Sequence, residues 1–119
     1  MMNTSILNSV KQVLGLESEY DAFDQDIIMH INSTFSVLRQ LGIGPEEGFM
    51  IEDSAASWDQ FISTTDLMYY QMVKSYISIK VRLLFDRPET SFAAEALEKM
   101  AAEYEWRLMA VKDEQGYSV

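Results

Sequence analysis

The sequence predicts an all-α fold, a compact bundle of four principal helices plus one short helix, with one long loop. Three observations predict it. Apolar residues recur at steps of three and four through most of the chain, and no segment alternates as a half-buried strand would. Capping residues precede these periodic segments, and glycine or proline follows them. Hydrophobic residues make up 48% of the 119, with no cysteine among them, so an apolar core must hold the fold without disulfides or a thiolate zinc centre. A chain of this length makes one domain. Its periodic part defines residues 1–111, followed by a flexible C-terminal tail, 112–119.

The stretch 66–88 organises the rest. Gln71, Lys74, Ser75, Ser78 and Arg82 recur at steps of three or four and form one narrow polar stripe. Tyr69, Met72, Val73, Tyr76, Ile77, Ile79, Leu83 and Leu84 spread over more than half of the circumference. A surface helix needs a narrower apolar face, so this helix must be nearly surrounded, by its own chain or by neighbouring subunits. Asp66 caps its start and Pro88 ends it, since proline lacks the amide and clashes with the preceding turn. Lys80 lies opposite the polar stripe at about 100° per residue and requires an acidic partner or a wet interface.

Before this helix, Thr4 or Ser5 caps a first helix of about ten residues that Gly15 ends. Ile6, Leu7, Val10, Val13 and Leu14 form its apolar face. Asp21 is the expected N-cap of the second helix, with Asp24 and Asp26 at its positive end. Ile27, Ile31, Phe35, Leu38 and Leu41 make its buried stripe, edged by Ile28, and Gly42 stops it. Residues 42–53, with Gly42, Gly44, Pro45 and Gly48, form the one long irregular segment. Within it, Phe49, Met50 and Ile51 suit a short extended piece. Ser54 or Ser57 starts a short helix that points Trp58, Phe61 and Ile62 inward. Thr90 or Ser91 caps the last helix, running to about Val111 on a face of Ala93, Leu97, Met100, Tyr104, Leu108 and Val111. Met68, Met72, Met100 and Met109 read as core filler, while Met50 and Met109 also suit an adaptable partner surface. Trp106 lies off the buried stripe, either on a second buried face or as an exposed aromatic anchor.

The formal net charge of −10 argues against a reader of phosphate backbones, sequence-specific nucleic-acid binding included. No apolar run reaches the length of about 20 residues that spans a bilayer, and the first residues lack a signal-peptide pattern. Charge is also unevenly placed. Between Gln40 and Val73 there is no Lys or Arg, yet Glu46, Glu47, Glu52, Asp53, Asp59 and Asp66 fall there. Lys74, Lys80, Arg82 and Arg87 follow against Asp86 alone. An acidic middle and a basic helix end invite pairing, within or between subunits. Lys80, Arg82 and Arg87 are the candidate ion-pairing residues.

The sequence points away from catalysis. His30 is the one histidine, at the edge of a helical stripe, so neither a multi-histidine metal site nor a triad with a second histidine can form. Glu46, Glu47, Glu52 and Asp53 do not follow the spacing of a calcium loop. No nucleophile, oxyanion motif or phosphate loop accompanies the carboxylates. No cofactor is expected.

The run Tyr76-Ile77-Ser78-Ile79-Lys80-Val81-Arg82-Leu83-Leu84-Phe85-Asp86-Arg87-Pro88 resembles the signature of phage head–tail connector proteins, the head-completion adaptors beneath the portal. Members commonly read Y-[VI]-x-x-K-V-R-L-x-F-D-P-P; Arg87 stands here where the first proline is usual. Other segments are similar in order and spacing. Ser5 to Lys11 with Leu14-Gly15-Leu16 matches the opening helix, and Asp24 to Asn32 the second. Leu41-Gly42-Ile43-Gly44-Pro45 followed by Phe49 matches the loop, and Trp58-Asp59-Gln60-Phe61 the short helix. Thr90-Ser91-Phe92 and Glu105-Trp106-Arg107-Leu108 match the last helix. The resemblance implies packed helices and a homo-oligomeric ring, dodecameric in the virion. Its partners would be the portal protein and the next tail-side connector. It implies location at the head–tail junction, host cytoplasm before assembly, and no catalysis.

On that reading the loop has two placements. Phe49, Met50 and Ile51, with Trp106, are the candidate portal-docking residues; the three consecutive apolar residues favour outward docking. Alternatively Glu46, Glu47, Glu52 and Asp53 face the DNA channel, where acids would not retain the duplex. The physical reading alone also admits an acidic helical binding module or DNA mimic acting as a small regulator, or a small enzyme with perturbed carboxylates in a pocket.

Overall fold

A computed structural model describes residues 4–64 and 66–115. It contains α1 (Ile6–Val13), α2 (Asp24–Gln40), α3 (Trp58–Phe61), α4 (Leu67–Phe85) and α5 (Ser91–Gln115). There is no strand among the described residues, so the all-α architecture of four principal helices and one short one is what the chain adopts. α4 is the hub, packing against α1, α2 and α5. Trp58, Tyr69, Tyr76, Phe35 and the isoleucines of α1 and α2 fill the space around it.

Local chemistry sets most boundaries. The Ser5 hydroxyl accepts from the Asn8 amide at 3.1 Å to open α1. The Asp66 carboxylate accepts from the amides of Met68 and Tyr69 to open α4, satisfying donors that a helix start otherwise leaves unpaired. Thr90 does the same for Ala93 at α5. Gly15 and Gly42 follow α1 and α2 with φ of 81° and 82°, the left-handed conformation that glycine reaches without a Cβ penalty. The start of the chain also ties to α3. The Ile6 amide donates to Ala56 and the Trp58 amide to Thr4, and the Trp58 indole donates to the Ser9 hydroxyl.

Several expectations are corrected. α2 begins at Asp24, not after an Asp21 cap. Residues 21–24 make a turn closed by the Asp24 amide on the Asp21 carbonyl, which sets Phe23 against Phe85 and Asp24 against Lys11. α5 runs to Gln115 rather than about Val111, because no breaker intervenes before Gly116. The backbone of 112–115 is thus helical, whereas Tyr117 and Val119 lie outside the described residues. Val13, Met68 and Met100 are exposed rather than core. Small Ala94 and Ala101 line the buried side of α5 instead, so Met100 is not needed there. α4 is surrounded in its middle, but Leu67, Met68 and Leu84 remain open at its ends, beyond the reach of its neighbours.

Candidate docking surfaces

The loop 42–53 is built, not loose. Gly44 and Gly48 hold φ of 93° and 96°. A Cβ on Gly44 would stand 2.5 Å from the Phe61 ring. The Arg39 guanidinium donates to the Glu46 carbonyl at 3.0 Å. Asn32 grips the far limb from both sides: its amide donates to the Ile51 carbonyl at 3.0 Å, and its oxygen accepts from the Ile51 amide at 2.8 Å. That pair satisfies the extended backbone that a neighbouring strand would otherwise have to pair.

This construction divides the three apolar loop residues. Phe49 is half-buried and stacks edge-on against Phe35 and close to Phe61. Ile51 is 2% exposed and belongs to the core. Met50 alone of the three points outward, 71% exposed, onto a groove of about 460 Å³ that Gln25, Met29, Ser33 and Ser36 also line. Alternation explains the split, since successive side chains of extended backbone face opposite ways. Trp106, the other docking candidate, is 71% exposed on α5.

Glu46, Glu47, Glu52 and Asp53 are all exposed. Asp53 accepts from the Ala55 amide, and none of the four forms a salt bridge with a described residue. The neck of their loop, Gly42 to Pro45, borders Tyr69 near the start of α4. The basic residues sit toward the other end of that helix. Lys80 is half-buried and makes no ion pair with a described residue. Arg82 is exposed, and its guanidinium reaches the Asp86 carbonyl at 3.4 Å. Arg87 pairs with Glu98 at 2.8 Å. Lys80 thus lies about 20 Å along α4 from its start at 1.5 Å per residue, while Glu52 and Asp53 follow the Ile51 that Asn32 holds beside the middle of α2.

Two further polar contacts, like the Asn32 clamp, escaped the sequence reading. Lys11 is fully buried; its ammonium lies 2.8 Å from Asp24 and donates to the Ser18 carbonyl at 3.0 Å. Its place in the last turn of α1 was the available signal. Tyr76, also fully buried, donates to Glu105 at 2.6 Å. Burial, and then the Glu105 carboxylate, hold its hydroxyl well above the usual phenol range. His30 is half-buried beside the Phe85 ring. The chain carries exposed apolar anchors, Met50 beside α2 and Trp106 on α5, and surface charges unpaired among the described residues, the material of a protein interface.

In comparison with known families, the family model described as phage connector protein matches residues 6–115. No curated protein and no solved structure matches the chain.

Proposed function

Because the chain belongs to the phage connector protein family, and so has a head–tail connector role in the virion, we propose that it docks under the portal as one subunit of a ring lining part of the DNA channel. The match over residues 6–115 carries this reading. The exposed loop acids and the half-buried Lys80, none ion-paired with a described residue, support the ring. A head-to-tail contact closes when the same two complementary patches meet at every interface. The acidic loop of one copy and the Lys80 face of α4 in the next are such patches. In this ring Lys80 finds its carboxylate on a neighbouring subunit. Twelve copies is the number the family resemblance implies.

Met50 and Trp106 are the docking anchors on the portal side, with Phe49 and Ile51 holding Met50 outward from the core. The four loop acids flank Met50 in this placement; a pore placement sets them against DNA instead. Copies that each carry −10 repel at low salt, so the portal acts as the template that raises effective concentration and drives closure.

Electron microscopy of the purified protein mixed with purified portal tests the reading. A ring of copies on the portal is expected. A chain that ignores the portal and instead competes with DNA for a partner would mark it as an acidic mimic. A stable ring at micromolar concentration and low salt, without portal, would contradict the template role.

A further inference from the structure

α5 has two seams. Ala94, Leu97, Ala101, Tyr104, Leu108 and Val111 form the buried or half-buried one. On the other side Phe92, Ala96, Lys99, Glu103, Trp106 and Ala110 are all exposed. Their steps of four and three residues are those of a coiled-coil seam, and at about 100° per residue they lie opposite the buried side. Phe92 and Trp106, at 84% and 71% exposure, are large apolar groups left open by the described residues.

This outer seam is complementary to itself when its direction is reversed. About the level of Ala101, Phe92 comes opposite Ala110, Ala96 opposite Trp106, and Lys99 opposite Glu103. Each aromatic meets a methyl group and each cation an anion. We propose that the outer seam of α5 takes a second copy of this chain, packed antiparallel about a two-fold axis. Such an isologous contact uses one patch twice. Lys99 forms no salt bridge with a described residue, and Glu103, although it accepts from Arg107, has its second carboxylate oxygen free of any described ion pair. Ala102 is exposed at the edge of the seam, one residue from the two-fold level, so the two copies' Ala102 lie on the same side of the helix pair and near each other. The two globular bodies do not collide, because each lies behind the buried side of its own α5.

The seam runs about 27 Å at 1.5 Å per residue. One helix pair of that length lies at the low end of specific interfaces, below about 1,200 Å² in total, so the dimer is weak and reversible. Repulsion between two chains of −10 weakens it further at low salt. The pair goes beyond the connector reading: it is two-fold rather than head-to-tail, and it covers Trp106 in the unassembled chain.

Sedimentation equilibrium of the full chain, from micromolar to millimolar concentration at moderate salt, tests this. A monomer–dimer equilibrium is expected, with Ala96→Glu and Trp106→Ala each raising Kd by at least about tenfold, as loss of a central aromatic contact does. Both positions are exposed, and unchanged circular dichroism would establish that the variants fold. The chain has no cysteine of its own, so Ala102→Cys copies should crosslink through a short bismaleimide, while Gln12→Cys copies on α1 should not. A strictly monomeric chain at millimolar concentration overturns the proposal. So does a dimer indifferent to both substitutions, or one that crosslinks no better through Ala102→Cys than through Gln12→Cys. Failure to bind the portal would refute the connector reading and leave this result untouched.

Discussion

The ammonium of Lys11 and the carboxylate of Asp24 lie 2.8 Å apart, with Lys11 fully buried and the Asp24 side chain 24% exposed. This contact joins the end of α1 to the start of α2 and fixes the turn between them. The Ser18 carbonyl takes a second ammonium proton. Asp24→Ala strands a buried charge and should cost about 3 kcal/mol, the lower end for such pairs because water still reaches the acid. Lys11→Met keeps the volume, removes the charge and should cost less. Urea unfolding of the two variants checks the order; a loss in Lys11→Met as large as in Asp24→Ala would overturn the stranded-charge account.

Tyr76 and Glu105 make a polar bond between α4 and α5. Tyr76→Phe should lose about 1.5 kcal/mol, as for a hydrogen bond to a charged group. The raised hydroxyl pKa adds a pH signature. Above about pH 10 the unfolded chain releases this proton while the folded chain keeps it. The unfolded state then binds fewer protons, so stability falls with rising pH, and the contribution is fully present below about 10. The gap between wild type and Tyr76→Phe should therefore shrink by up to about 1.4 kcal/mol per pH unit above 10. Denaturation at neutral pH and at pH 11 measures it, and a gap that stays constant would rule this coupling out.

Asn32 holds Ile51 through both backbone groups. Asn32→Ala leaves a buried amide and carbonyl without that partner and should cost about 2 kcal/mol. Amide exchange at Ile51 should accelerate while that in the middle of α4 does not. Asn32→Asp should fall between, because a carboxylate still accepts from the amide but repels the carbonyl. Unchanged exchange at Ile51 in Asn32→Ala would mean that the loop is held elsewhere.

The two placements of the loop separate genetically. Met50→Ser should abolish attachment to the head if the loop docks, without the core damage that Phe49→Ser would bring. Glu46→Lys with Glu47→Lys should leave attachment intact but impair DNA retention or ejection if the acids face the channel. Normal assembly and infection by both variants would deny the loop either role.

Lys80→Met examines the head-to-tail contact. The variant should fold with stability close to wild type, since no described residue pairs with Lys80 in the single chain, yet it should form fewer complete rings on the portal. Full ring formation, counted by electron microscopy, would remove Lys80 from the interface.

Periodicity and punctuation carried the fold. Asp66, Gly42, Pro88 and the stripe from Ile27 to Leu38 are local signals, and local signals survive folding. What stayed hidden depends on partners far along the chain. Lys11 reads as a solvated end-of-helix cation until Asp24 and Ser18 close around it, and Asn32 reads as a surface amide until Ile51 arrives. The Asp21 cap was displaced by the contacts of Phe23 and Asp24 with other helices. At the docking surface, composition marked Phe49, Met50 and Ile51 together, but only the alternation of an extended backbone tells which one faces out. Met68 and Met100 have core spacing yet lie exposed, because spacing on α4 and α5 carries no record of where a neighbour ends, whereas Met72 packs against the core.

The closeness of Gly44 to the Phe61 ring limits how this loop can drift over generations. Any side chain at position 44 meets both an aromatic wall and a positive φ, whereas Glu46, Glu47, Glu52 and Asp53 are exposed, and of their side chains only that of Asp53 takes a local bond among the described residues, from the Ala55 amide. Substitutions can therefore accumulate at the tip while the neck stays unchanged. A connector adapting to a new portal can redraw the chemistry of its contact without moving the point from which that contact is presented.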